Sequence, residues 1–385
     1  MTHRSHAPDW SAGTLASVLP SVADSLGVRA FAGADRFGLP PAPRCVVVLV
    51  DGLGYDLLAQ RGGHAPFLRG HLPTARRIPC GFPTTTATSM GSFGTGLPPG
   101  SHGLVGFQVL DPETDRLLNE LSWEDGPDPL RWQPSRTVFQ AAEDDGVAVT
   151  RVGPRYFDGS GLTNAALRGG RFVAAKRLEE RVTASVENVR ATRRSLVYLY
   201  WGDVDKVGHV HGCQSWQWGD ELESVDRALA DLADRVPADT SLVVTADHGM
   251  VDVPFEQRLD LAHEPSLMQG VRHVGGEPRN LQLYLEPGAT DAVAQTWRGR
   301  LGGLAHVMSR EQAVDEGWFG LTRPAVLPRI GDLVVVMQDR FAVVHSGLMR
   351  KEILALLGVH GSTSEAEIAV PVIVVPPRAA GAGGG

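Results

Sequence analysis

Cysteine is scarce: Cys45, Cys80 and Cys213 are the only three in 385 residues, with no close pair among them. An odd, scattered set argues against a disulfide framework and for a reducing compartment. Positive charge is not in excess either. The formal net charge is −8, so the surface as a whole repels a nucleic-acid backbone and no nucleic-acid polymer is expected as a partner. No stretch reaches the ~18 apolar residues of a membrane span. The segment Met1 to Trp10 is polar, without the apolar core of a signal peptide. There is no internal repeat. These absences lead to the expectation of a cytoplasmic, soluble protein with no membrane partner. The length suffices for one large α/β domain with insertions, or for two domains.

What is present is a set of short, β-branched apolar runs. Cys45-Val46-Val47-Val48-Leu49-Val50, Leu196-Val197-Tyr198-Leu199-Tyr200-Trp201 and Ser241-Leu242-Val243-Val244-Thr245 each read as a strand buried on both faces of a parallel sheet. Each is followed by an acid: Asp51, then Asp205, then Asp247. In open parallel sheets, sites form at the carboxyl ends of the strands. Histidines accompany two of the acids. His209 lies four residues after Asp205, on the same face if the segment is helical, whereas His211 is turned away. His248 directly follows Asp247; adjacent side chains diverge in a strand, so a shared ligand requires a turn, which Gly249 permits. His360 precedes a final strand, Ala369 to Val375.

Between the first two strands lies Phe82-Pro83-Thr84-Thr85-Thr86-Ala87-Thr88-Ser89, leading to Thr95-Gly96. A hydroxyl here caps a helix. It is equally placed to act as a nucleophile, because the positive end of the helix dipole stabilises an alkoxide or a phosphate. Taken singly, each of these features has an ordinary structural explanation. Jointly, they would all point into one crevice. Oxygen and imidazole donors without thiolates suit Zn²⁺, with Mn²⁺ or Fe as alternatives. Three acids, three histidines and a hydroxyl exceed one tetrahedral ion and divide into two sites, the arrangement that serves displacement at phosphorus.

The remaining chain sorts around this centre. Residues 1–40 are an amphipathic helical lead-in, with Leu15, Val18, Leu19, Val22 and Leu26 at helical spacing and Asp9 or Ser11 as caps. Residues 41–250 and 340–377 form the metal-binding core. Residues 251–339 read as a small α+β cap insertion, with helices at Asp291 to Gly299 and Val307 to Trp318. A helix is expected from Ala174 to Arg194, and residues 378–385 as a disordered tail.

The motifs Asp51-Gly52, Phe82-Pro83-x-x-Thr86, Asp205-x-x-Gly208-His209, Ala246-Asp247-His248-Gly249-Met250 and His360-Gly361 occur in an order that resembles the alkaline phosphatase superfamily, nucleotide pyrophosphatase/phosphodiesterase branch. The resemblance implies a three-layer α/β sandwich with a central, mostly parallel sheet. It also implies two Zn²⁺, one held by Asp205, His209 and His360, the other by Asp51, Asp247 and His248. Thr86 would contact the metals as nucleophile and pass through a phospho-threonine. The chain departs from that branch after Thr86, where Ala87-Thr88-Ser89 replaces aromatic-Pro-Asn, and at Phe107, which takes the place of a phosphate-binding Asn. A backbone N–H or Arg279 would then replace that contact. Phe107, and the lack of Lys or Arg from Phe82 to Gly96, lean toward a diester. The expected activity is hydrolysis of phosphate diesters or nucleotide pyrophosphate bonds in a small-molecule substrate such as a nucleotide. The alternatives are a phosphomonoesterase or phosphonoacetate-hydrolase-like enzyme, and a catalytically inactive phosphoester-binding protein.

Overall fold

The structure, a computed structural model, describes residues 6–378. Its centre is a seven-stranded sheet in the order Arg76–Pro79, Ala369–Val375, Thr240–Thr245, Arg44–Val50, Ser195–Trp201, Ala148–Gly153, Arg171–Ala174. The five strands from Thr240–Thr245 to Arg171–Ala174 are mutually parallel, and Ala369–Val375 runs antiparallel to both its neighbours. Side chains on alternate residues of a strand face opposite ways, and Ser195–Trp201 shows what each face meets. Tyr198 packs its ring on Phe93 and Phe139, from the helices Thr86–Thr95 and Val138–Asp144. Trp201, on the other face, lies under the Arg181 guanidinium and donates to Glu221, from the helices Leu178–Arg190 and Trp216–Arg235. Helices thus cover both faces, and the central strands are buried almost throughout, which is why they read as unbroken apolar runs.

Residues Val271–Glu277, Asn280–Leu285, Leu333–Met337 and Ala305–Ser309 form a separate four-stranded antiparallel sheet. It has its own apolar cluster around Trp297, Leu281, Leu283 and Val335. A hairpin, Gln108–Asp111 with Arg116–Asn119, follows the Thr86 helix.

Three local expectations are corrected. The Val307 to Trp318 helix is instead the strand Ala305–Ser309 followed by the helix Arg310–Asp315, with Ser309 Oγ capping Gln312 N. The pairing with Leu333–Met337 overrides the helical pattern. The helix expected from Ala174 starts only at Leu178, because Arg171–Ala174 is an edge strand of the main sheet. In the lead-in, Thr14 rather than Asp9 or Ser11 caps the first turn, while Leu15, Val18, Leu19, Val22 and Leu26 are all buried. Apart from Arg378, the tail lies outside the described residues. Among the described residues no helix is long and apolar enough to cross a membrane.

Candidate metal centre and active site

Asp51 ends its strand, with its N–H donated to Trp201 O. The next residue, Gly52, has φ +74°, and a Cβ there would lie 2.9 Å from the Asp205 Cα. Only glycine lets the two strand ends approach this closely. The helix Asp203–His211 follows Ser195–Trp201 at once and puts Asp205 and His209 on one face, with Asp205 Oδ2 3.3 Å from His209 Nε2; His211 is exposed. The strand Thr240–Thr245 stops short of Asp247 and His248, and the irregular backbone turns both toward Asp51. His248 Nε2 lies 3.5 Å from Asp51 Oδ1 and 3.5 Å from Asp247 Oδ2. His360 Nε2 is 4.0 Å from Asp205 Oδ1, and the His248 and His360 rings stack at 3.8 Å.

The turn expected at Gly249 has a different physical basis. A Cβ on Gly249 would sit 1.9 Å from the Ala366 carbonyl oxygen. Its N–H is also donated to Glu367 O at 2.7 Å. Close backbone contact, not turn conformation, requires the glycine. Gly249→Ala is expected to cost about 3 kcal/mol of stability, since the clash is with backbone that cannot rotate away; an unchanged urea midpoint would contradict the close contact.

The donor atoms are prepared in a consistent way. His209 Nδ1 donates to Gly358 O at 2.7 Å, His248 Nδ1 to Gly249 O at 3.0 Å, and His360 Nδ1 to Thr84 O at 2.7 Å. With each Nδ1 donating to a carbonyl, each Nε2 is left as an acceptor facing the cluster. The acids show the same division. Asp247 Oδ1 accepts from Gly52 N and His248 N, Tyr200 Oη donates to Asp51 Oδ2, and Asp205 Oδ2 faces His209. The other three oxygens, Asp51 Oδ1, Asp205 Oδ1 and Asp247 Oδ2, are buried with no hydrogen-bond partner.

Two trios have all their donor atoms within 4.8 Å of one another: Asp51, Asp247 and His248, and Asp205, His248 and His360. His209 reaches the second trio through Asp205, and His248 stands between the two.

Electrostatics explains what this set requires. Burial, then the charges of Asp247 and Asp205, push the Asp51 carboxyl well above the usual range. Burial and then Asp205 push Asp247 up to about 7. For Asp205, burial is outweighed by His209, which holds its carboxyl below the usual value. His209 in turn is raised to about 9, Asp205 overcoming its burial. Burial, followed by the imidazoles of His248 and His209, depresses His360. Three carboxylates held together in a buried cluster repel one another strongly. Inward-facing imidazole lone pairs and partnerless carboxylate oxygens are the donor set that a divalent cation such as Zn²⁺ takes.

Thr86 is the first residue of the helix Thr86–Thr95, with Thr85 at the cap position. The Thr85 side chain makes no capping bond. Thr86 Oγ1 lies 3.2 Å from His248 Nε2, at the mouth of a cavity of about 530 Å³. The cavity floor follows from strand register. Phe172, Arg151 and Tyr198 are paired side by side across three parallel strands, so their side chains share one face of the sheet. Tyr156, Phe157, Leu162 and Tyr200 line the walls, together with Phe107.

Arg279 does not line this cavity. It is fully buried, its guanidinium bonded to Glu367 through Nε (3.0 Å) and Nη2 (2.6 Å) and to Phe341 O. The substrate contact expected of it is therefore corrected: a fully buried guanidinium paired with an internal carboxylate does not reach a substrate in the cavity. Sequence reasoning also passes over Tyr200. The signal is available, since Tyr198 and Tyr200 fall two apart in a strand and so share the face above which the site lies.

A three-layer α/β sandwich with this cluster at its strand ends is the architecture of the alkaline phosphatase superfamily. Residues 45–363 match the family model for type I phosphodiesterase / nucleotide pyrophosphatase, and the chain belongs to that family. An uncharacterized pyrophosphatase/phosphodiesterase of Schizosaccharomyces pombe is 26% identical over 227 residues, covering 53% of this chain and 44% of that protein. The chain spans less than half the length of the first curated relatives it matches. Murine ectonucleotide pyrophosphatase/phosphodiesterase 5 shares the fold with a TM-score of 0.70 at 19% identity, covering 87% of this chain and 88% of that one. A threonine-to-alanine form of that protein is described as inactive and in complex with AMP. Phosphonoacetate hydrolase from Sinorhizobium meliloti, in complex with phosphonoacetate, aligns with a TM-score of 0.68 at 22% identity over 89% of this chain and 93% of that one.

Proposed function

We propose that this protein hydrolyses phosphate diesters or nucleotide pyrophosphate bonds, with Thr86 as nucleophile beside two divalent metal ions, Zn²⁺ being the best match to the donors. Asp51, Asp247 and His248 would hold one ion, and Asp205, His209 and His360 the other. The observation that carries this reading is the position of Thr86 Oγ1, between the acid–histidine cluster and the mouth of an apolar cavity. Bound metal supplies Lewis acidity and lowers the pKa of a coordinated hydroxyl.

Thr86 Oγ1 attacks phosphorus. The Oγ–P bond forms as the bond to the leaving oxygen breaks, the hydroxyl proton ending on that oxygen; the phospho-threonine left behind still carries the second substituent, and water then cleaves its Oγ–P bond, restoring the hydroxyl and releasing the monoester. The N-terminus of a ten-residue helix directs its free N–H groups at the phosphoryl oxygens, where the dipole favours negative charge. Phe107, Tyr156, Phe157 and Phe172 house the second substituent of the diester and exclude water from it.

The diester is favoured over the monoester because aromatic and aliphatic side chains dominate the cavity lining. Of the two cations in that lining, Lys206 is paired with Asp203, Nζ 2.6 Å from its carboxylate, while the Arg151 guanidinium lies over Phe172 and donates to Gly170 O. The AMP held by the murine relative supports a nucleotide as one such substrate. The buried, unpaired Cys45, Cys80 and Cys213 favour a reducing compartment, and we assign the cytoplasm.

Turnover of bis(p-nitrophenyl) phosphate and p-nitrophenyl phosphate by the metal-loaded protein tests the substrate class. The diester is expected to have a kcat/KM at least tenfold higher. A preference for the monoester would replace this reading, and binding without turnover of either would mark an inactive phosphoester-binding protein. Phe107→Ala is expected to raise the KM for the aryl diester several-fold with a smaller change in kcat, since it removes apolar contact with the substituent rather than a reacting group. An unchanged KM would remove Phe107 from the substrate slot.

A further inference from the structure

We infer that Glu277, carried by the four-stranded insertion rather than by the core, is a positioning residue that sets the metal affinity of His360. This rests on the reading of His360 as a metal ligand. Glu277 ends the strand Val271–Glu277, and the tight connection through Pro278 and Arg279 leads into Asn280–Leu285. That hairpin brings its carboxylate to His360-Gly361. Glu277 Oε2 lies 3.3 Å from His360 Nδ1, on the side of the ring opposite the cluster. Thr84 O, at 2.7 Å, takes the Nδ1 hydrogen. Burial pushes the Glu277 carboxyl well above the usual carboxylate range in the metal-free chain, and a cation on the far side of the ring would favour its ionised form, an adjacent negative charge. An imidazole between a carboxylate and a cation is the stronger ligand for it.

The surroundings leave that charge available to His360. Arg279, two residues on, is the obvious counter-ion, but its Nε and Nη2 are taken by Glu367. Glu277 Oε1 is buried with no hydrogen-bond partner.

The His360-Gly361 pair in the sequence has its physical reason here. A Cβ on Gly361 would lie 2.7 Å from Glu277 Cγ, and its φ of +127° is one that side chains rarely adopt. Glycine at 361 is what admits Glu277 beside the ring.

Zn²⁺ binding by chelator competition tests this with the full chain, alongside thermal melting of the metal-free protein. Glu277→Gln keeps the shape and removes the charge. It is expected to weaken one of two metal equivalents about 10- to 100-fold, with little change in the metal-free melting temperature and a loss of kcat/KM that raised free Zn²⁺ restores. Glu277→Asp keeps the charge and is expected to stay within a few-fold of wild type. Wild-type affinity in E277Q overturns the inference. So does an equal loss in both variants, because that would indicate packing and not charge. Should E277Q fail to fold, Glu277→Ala is measured in its place; wild-type affinity in that variant overturns the inference in the same way. A wild-type chain that binds no metal overturns the proposed function itself, a different failure from wild-type binding with an unaffected E277Q.

Discussion

Thr86→Ala is expected to lower kcat on a phosphodiester by at least about 10⁴-fold while leaving the fold and the metal content intact. The size of the effect follows from position. Thr86 is the first residue of its helix, one past the cap position held by Thr85, so alanine there removes no cap residue. The side chain is only half-buried, so loss of its oxygen and one methyl creates no large cavity, and stability is expected to change by about 1 kcal/mol or less. What alanine removes is the only hydroxyl bonded to His248 Nε2 among the described residues. Thr84 and Ser89 cannot substitute. Thr84 Oγ1 donates to Ser362 O at 2.7 Å, and Ser89 Oγ to Asp247 O at 2.7 Å. Both serve backbone carbonyls and face away from the cavity mouth. Single-turnover assays with a radiolabelled diester would show phosphoryl label on the wild-type chain and none on the variant. Retained turnover in T86A, or label at another residue, would displace Thr86 as nucleophile.

Stripping the metal is expected to abolish turnover and lower the melting temperature by several degrees, both reversed by adding Zn²⁺. The activity loss follows from the donor set: bound metal would supply the Lewis acidity that lowers the pKa of the Thr86 hydroxyl and offsets the charge on phosphorus. The stability loss follows from linkage. A ligand that binds only the folded chain, at 1,000 times its dissociation constant, stabilises by about 4 kcal/mol. The pH dependence has a definite sign. Asp247 is pushed up to about 7, with burial and then Asp205 as causes. Its folded value lies above its unfolded one, so protons stabilise the metal-free chain at low pH and that contribution disappears as pH rises through 7. The same protons compete with metal for the carboxylate. The gap in melting temperature between metal-loaded and stripped protein should therefore widen from pH 5 to pH 8. A gap that narrows over that range, or a stripped protein that retains full turnover, would contradict the assignment of these residues as ligands.

The parts of the molecule governed by local pattern are legible in the sequence. Parallel strands covered on both faces must be apolar at every position, so the runs before Asp51 and Asp205 declare both their structure and the end of the sheet on which the acids stand. The i, i+4 spacing puts Asp205 and His209 on one helical face by geometry alone. The elements that depart from expectation owe their form to distant partners. Ala305–Ser309 is a strand because Leu333–Met337 lies beside it, and Arg171–Ala174 because Ala148–Gly153 does. No local periodicity encodes either pairing. Arg279 has the sequence surroundings of an exposed turn residue with a free guanidinium; only the fold sets Glu367, 88 positions away, against it. Gly249 suggests a turn, since glycine marks both unusual conformation and close approach, and only the position of Ala366 tells them apart. The cavity is the least legible feature. Its floor is assembled from one residue on each of three strands, and it exists only once they are in register.

Tyr200 joins two properties that protein engineers would prefer to vary separately. Its hydroxyl holds Asp51 Oδ2, and its ring forms part of the cavity wall against Phe157. Any substitution made there to admit a bulkier substrate also frees an acid of the cluster. Phe172, Leu162 and Leu167 line the same cavity without touching the acids. A library intended to change what this protein accepts has its freedom at those three positions and a fixed point at Tyr200.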